Sequence, residues 1–209
     1  MELLAVMAVI AVLLSLASVG VSRMSTGQGL SSGVSIADAV FSEARGLAIS
    51  RGTQVRVAIH ADLDDQDEVK RRRYKRMMMI MIRDLEKESG EEVAVWKPAS
   101  QATTLPDQVY FSSRLSSQDI YSQQPVRLAQ MKLGKQEEDT AQCYYYEFNP
   151  QGGCTTPGAT FILEAGSRPP NQPDVVSGKE KNRGGFVIWR NGNTAPIRDT
   201  SKLEVLGES

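Results

Sequence analysis

The chain is poor in cysteine and histidine. Among 209 residues Cys143 and Cys154 are the only cysteines and His60 is the only histidine. That scarcity excludes a zinc site built on paired cysteines, because no second pair exists and the histidine lies far from both thiols. An excess of charge is missing too. Lys and Arg number 24 against 25 Asp and Glu, so global charge gives no argument for nucleic acid as a partner. No internal repeat, phosphate-cradling glycine loop or catalytic dyad can be read along the chain. Asp62, Asp64, Asp65 and Asp67 crowd together, but the glycine and terminal glutamate of a calcium loop are absent at their offsets. His60 has no Ser or Cys tied to it as nucleophile with base. The methionine run Met77 to Met81 (MMMIM) offers thioethers of the kind that suit Cu(I). Consecutive Met and Ile in a strand are better read as the filling of both faces of a buried β-element. The expectation from these gaps is a protein that is not an enzyme and carries no cofactor and no metal.

What the chain does have is one long apolar run. Leu3 to Val21 contains no charged residue, and Arg23 ends it. At about 1.5 Å per residue such a stretch spans roughly 28 Å, close to the hydrocarbon thickness of a bilayer. A cleavable secretory signal fits less well, since no basic segment precedes the run and it exceeds the usual apolar length. Lys and Arg follow the run, which counted alone favours a cytoplasmic C-terminal side and leaves orientation open. Glu2 stands at the lip of this segment. It either rests among headgroups or lies inside the apolar zone, where it needs a positive partner that this chain does not supply.

Residues 23–35 (RMSTGQGLSSGVS) are rich in Gly and Ser and read as a hinge. Ser35 and Asp38 have the spacing of a capping box, with Asp in the glutamate role. Ala37, Val40, Phe41, Ala44, Leu47 and Ala48 then recur at helical spacing, and Gly52 is placed to end the helix. Beyond it the period changes to two. Val55, Val57 and Ile59 alternate with Arg56, Ala58 and His60, predicting a half-buried strand. RRYKRMMMIMIRD follows the acidic DLDDQDE as a long second strand. Further strands are predicted at VAVWKP, QVYFSS, PVRLAQMKL, CYYYEF, TFILEA and GFVIWR, separated by turn-rich NPQGG, SRPPNQP and NGN. The fold class is α+β. A long hydrophobic N-terminal helix (1–22) and the hinge (23–35) lead into an amphipathic helix and a mainly antiparallel β-rich domain of about seven or eight strands (36–209).

Two further groups invite functional readings. Cys143 and Cys154 admit a single disulfide, which would suit an oxidising compartment, with two buried free thiols as the alternative. The cluster VKRRRYKR holds Arg71, Arg72, Arg73, Lys75 and Arg76, with Tyr74 among them. Such a cluster could hold phosphates and stack a base. The reading preferred here is a solvated hairpin neutralised by the acidic run before it.

ELLAVMAVIAVLLSLA resembles the N-terminal signature of type IV pilins and type II secretion pseudopilins. The resemblance implies that Glu2 is the glutamate that neutralises the N-terminal amine of a neighbouring subunit during filament assembly. A carboxylate in a low-dielectric bundle is tolerable when it meets a cation. The basic leader, cleavage glycine, Phe and Thr of that signature are not in this sequence. The resemblance implies that they lie a few residues upstream, where a prepilin peptidase would cut. FSEARGLAISRGTQVRV is similar to minor pseudopilins of the GspH/FimT type, through Ala44, Arg45, Ala48, Ile49, Arg51 and Val55. FNPQG at Phe148 to Gly152 is of the same kind. YKRMMMIMIRD with WKP and LPD is similar to the Verru_Chthon cassette protein D group. The implied protein is a structural subunit of a type II secretion or type IV pilus filament. Its partners are other pilin or pseudopilin subunits, and it crosses the bacterial inner membrane once, with its C-terminal domain in the periplasm or filament. The alternatives are a DNA-binding minor pilin of an uptake system, and a signal-anchored periplasmic protein unrelated to filaments.

Overall fold

The computed structural model describes residues 28–88, 91–119, 124–134, 139–176 and 182–197. The expected membrane helix at 1–22, with Glu2, lies outside them. Among the described residues no helix is long and apolar enough to cross a membrane.

The first described element is a helix, α1 (28–51). Its buried stripe is the predicted one: Ala37, Val40, Phe41, Ala44 and Ala48 are all in the core. The alanines keep that face narrow, so the backbone approaches the sheet while Phe41 reaches furthest in. Gly52, at φ 61°, ends the helix in the left-handed region, and the Thr53 N–H donates to the Ala48 carbonyl at 3.3 Å. The start differs from expectation. Residues 28–35 belong to α1 rather than to a hinge. Ser35 is no cap: its hydroxyl donates back to the Ser31 carbonyl at 3.1 Å, a bond made inside a helix. Asp38 accepts instead from the Thr194 hydroxyl. Tertiary packing overrides the poor propensity of the glycines here. A Cβ on Gly33 would stand 3.0 Å from Val109, and one on Gly29 3.7 Å from the same side chain, so both glycines lie where the helix meets the domain.

All strand pairs are antiparallel, in two sheets. The larger runs β3 (Glu91–Pro98), β2 (Met77–Glu88), β1 (Val55–His60), β7 (Thr140–Phe148), β6 (Arg127–Lys132), with β4 (Thr103–Thr104) also paired to β2. The smaller runs β10 (Thr194–Pro196), β9 (Arg183–Ile188), β8 (Ala159–Ala165), β5 (Val109–Phe111). Every predicted strand is present; the short β4 and β10 were not foreseen. The second strand starts later than its sequence suggested. Residues Glu68–Arg73 form a short helix, α2, whose cap is Asp67, accepting from the Val69 and Lys70 N–H groups.

A core of aromatic rings joins α1 to both sheets. Phe41 packs edge-on against Tyr146, Phe148, Phe161 and Phe186, with centroids 5.1–6.2 Å away. The other face of the larger sheet carries a second buried cluster: Ala58, Met77, Met79, Met81, Met131, Leu133, Ala141 and Cys143. So β1 is buried on both faces, not half-buried as its alternation implied. The methionine run divides between the faces, with Met78 and Ile80 inward and Met77, Met79 and Met81 outward. The larger sheet also curls, bringing its opposite edges β3 and β6 near each other. Met79, Val95, Trp96, Gln130, Met131 and Leu133 line a groove of about 810 Å³ there.

Candidate functional site

The motif residues of α1 meet the FNPQG turn in space. Small side chains at Ala44 and Ala48 seat the helix. Arg45 and Ile49, on the flank, lie over two glycine turns. A Cβ on Gly152 would come within 2.6 Å of Ile49 and 3.2 Å of Arg45, and one on Gly192 within 2.9 Å of Arg45. Both glycines hold positive φ, 76° each, which bare backbone allows at no steric cost. Asn149 organises the first turn, its side-chain oxygen accepting from the Gln151 and Gly153 N–H groups at 3.0 and 2.8 Å. Residues about a hundred positions apart thus form one seat that fixes the helix end to the β-domain. The helix also shares a depression of about 850 Å³ with the larger sheet, where Leu47 and Arg51 face Ile82 and Arg83.

The basic segment is split by the fold. Lys70, Arg71, Arg72 and Arg73 sit on α2 and face solvent. Arg72 pairs with Glu68 at 2.5 Å and Lys70 with Asp64 at 3.7 Å. Lys75 turns inward and is only 3% exposed. Its Nζ donates to the Pro173 carbonyl at 2.9 Å and reaches Asp174 at 3.5 Å, and burial lowers its pKa. Arg76 donates to the Leu105 carbonyl at 2.9 Å and to Asp107 at 2.6 Å. Arg71, Arg72 and Arg73 therefore remain together, while Lys75 and Arg76 serve the interior of the fold.

The four aspartates are equally dispersed in role. Asp62 accepts from the Gln142 N–H at 3.2 Å, Asp64 accepts from the Gln66 N–H at 3.1 Å, and Asp67 caps α2. Asp65 pairs through both oxygens with Arg168 and accepts the Asn171 N–H. Those hydrogen bonds hold its carboxyl down at about 2. The clamp pins the loop after β8, whose Ser167 and Val176 also bond to each other, against the start of α2. Among the described residues no group of three His, Cys, Asp or Glu could hold a metal.

The cysteines are two buried free thiols, so the bridge weighed from sequence does not form. Cys143 lies on the outer face of β7 and Cys154 in the aromatic core, bonded to the far end of the same strand beside Phe148. Five residues along a strand is about 17 Å, far beyond the Cα separation that a disulfide spans. Burial pushes the Cys143 thiol up to about 12 and raises that of Cys154. Sequence spacing missed one juxtaposition: His60 stands opposite Cys143 across β1 and β7. Only the strand register brings them together. A thiol held that high is a weak nucleophile near neutral pH.

The tyrosine run forms a strand, as expected. The Tyr146 hydroxyl donates to the Thr160 carbonyl at 2.7 Å inside the core. Tyr145 and Trp96 flank the Arg56 guanidinium at 4.2 and 3.9 Å, and Glu147 neutralises it at 2.7 Å.

No family model and no curated protein matches the chain. Among solved structures, two crystal forms of the type IV minor pilin FimU of Pseudomonas aeruginosa are similar to it. The first is 12% identical, covering 86% of this chain and 92% of that one, with a TM-score of 0.40. The second is 14% identical, covering 82% and 93%, with a TM-score of 0.37.

Proposed function

We propose that this chain is a minor pseudopilin or pilin-like structural subunit of a type II secretion or type IV pilus filament. In this reading the apolar N-terminal segment anchors it in the bacterial inner membrane and then packs in the filament. The β-domain stands in the periplasm. Glu2 meets the N-terminal amine of a neighbouring subunit, and a prepilin peptidase acts on a leader upstream. The observation that carries the reading is the seat under α1. Arg45 and Ile49, which with Ala44 and Ala48 carry the spacing that resembles GspH/FimT pseudopilins, pack on the FNPQG turn that shares the resemblance, while the two alanines are buried in the core. A rigid join between stem and domain is what a filament subunit needs, because the domain's place on the filament surface is set by its helix. The role is structural and requires no enzyme chemistry.

The DNA-uptake alternative has less to rest on, since Lys75 and Arg76 are occupied within the fold. The deciding experiment is Glu2→Ala in the full chain, read by crosslinking between subunits in native membranes. Loss of the subunit ladder with the β-domain still folded is the expected result. An unchanged ladder would overturn the role given to Glu2. A chain that stands alone in the membrane, with or without the substitution, would overturn the filament reading.

A further inference from the structure

We propose that copies of this chain meet head to tail through the two ends of β2: the acidic β2–β3 hairpin of one copy docks on α2 of the next. The contact rests on the filament reading and deepens it, because it names a surface by which neighbouring β-domains meet. β2 has 12 residues, so at about 3.3 Å each its ends stand roughly 40 Å apart. At its first residue lies α2, joined by a tight turn in which the Arg76 N–H donates to the Arg73 carbonyl at 3.0 Å. At its last residue lies the hairpin with β3.

The hairpin end is an arm without support. β1 pairs with β2 only as far as Ile82, and the Gln54 carbonyl takes the Arg83 N–H at 2.9 Å. From Asp84 onward, among the described residues, β2 pairs with β3 alone. A two-stranded ribbon with no packed face is marginally stable in water. This one leaves Leu85 61% exposed, and Val93 is exposed as well. Leu85 stands opposite Ala94 and Val93 opposite Glu86, so the two aliphatic side chains lie on different faces of the arm. At its base a single cation, Lys97, serves both Asp84 and Glu86, at 2.7 and 2.9 Å. Beyond them the sequence adds Glu88, Glu91 and Glu92 against Lys87 alone, so the arm is acidic.

The other end has the complementary make-up. The carboxylates before and within α2 are engaged inside the chain. Asp65 pairs with Arg168, Asp64 with Lys70 and Glu68 with Arg72, while Asp67 caps the helix and Asp62 accepts the Gln142 N–H. Arg71 and Arg73 face solvent and make no ion pair among the described residues. Val69 beside them is 52% exposed, and Leu63, in the loop leading to α2, is exposed too. Each end therefore offers aliphatic side chains among charges of one sign, and the signs are opposite. Opposed potentials bring arm to helix, whereas arm on arm or helix on helix sets like charges face to face. A contact between different patches is heterologous, and with the patches at opposite ends of one strand it repeats into an open row instead of closing as a dimer.

The test is disulfide crosslinking of the full chain in native membranes, with Val69→Cys and Val93→Cys introduced together. Cys143 and Cys154 are buried and do not compete. Oxidation should give a ladder of linked copies. Chains with one substitution each should stay monomeric alone and give dimers when the two kinds are mixed. In the doubly substituted chain, Arg71→Glu with Arg73→Glu should lower ladder yield by about tenfold, as should Glu91→Lys with Glu92→Lys. All four changes together should restore it. The charge changes lie on the surface and keep the fold, and the arm pair leaves α2 untouched. Yield should also fall as salt screens the contact. No ladder from folded chains overturns the contact. So does a ladder indifferent to charge reversal, dimers from Val93→Cys chains alone, or crosslinks only to a different protein. Absence of this ladder while the Glu2-dependent one persists removes this contact and leaves the filament reading standing. A chain that forms neither ladder overturns both.

Discussion

The two faces of the larger sheet solve the same burial problem with different materials. The inner face meets α1 and the smaller sheet through rings: Phe41, Phe111, Tyr146, Phe148, Phe161 and Phe186, most pairs edge-on or tilted. Ring geometry is demanding, and it fixes how the helix lies on the domain. The outer face has no second layer among the described residues. It curls, and unbranched methionines fill the irregular space inside the curl. Rigid packing goes with the face that holds the stem; adaptable packing goes with the face that opens onto a groove.

Substitutions can sharpen that contrast. The largest effect is expected at Phe41→Ala, which empties the centre of the ring cluster and should cost about 3–5 kcal/mol in denaturant unfolding. A cost near that of an exposed residue would mean that α1 is not seated as described. Met81→Leu and Met131→Leu on the outer face should each cost less than about 1.5 kcal/mol, because a volume-conserving change in an adaptable cluster is absorbed. Equal losses on both faces would erase the distinction. Gly52→Ala should lose about 1–2 kcal/mol through its left-handed φ of 61°, measured the same way. The Asp65–Arg168 clamp gives a pH signature. The Asp65 carboxyl sits at about 2, below its unfolded value, so its contribution is complete above about pH 4 and disappears as pH falls through about 2. Proteolysis of loop 167–176 by an acid-active protease should rise over that window, and in Asp65→Asn it should be high throughout. The smallest change belongs to Arg72→Ala on α2, about 0.3–0.5 kcal/mol for an exposed i,i+4 pair.

Periodicity made much of this molecule legible before any coordinates. The stripe Ala37 to Ala48, the stop at Gly52 and the strands all follow from spacing and turn residues. The errors share a cause. Residues 28–35 have the composition of a hinge, yet α1 runs through them because Gly29 and Gly33 accept Val109 from a distant strand. RRR before the methionines has no helix period of its own, and Asp67 supplies the cap that winds it. Long-range register also decides the chemistry. Nothing local connects His60 with Cys143, eighty-three positions away, or separates Cys143 from Cys154. Lys75 and Arg76 look like surface residues in a basic run until the fold turns them inward.

The seat of Arg45 and Ile49 over the glycine turns also bears on mechanics. A tension applied to the leading end of α1 acts parallel to the helix axis, so its contacts with the two sheets are loaded together in shear. They cannot be peeled apart one at a time. The domain should therefore withstand traction along its stem far better than a sideways pull on the β2–β3 hairpin, where bonds would open in succession.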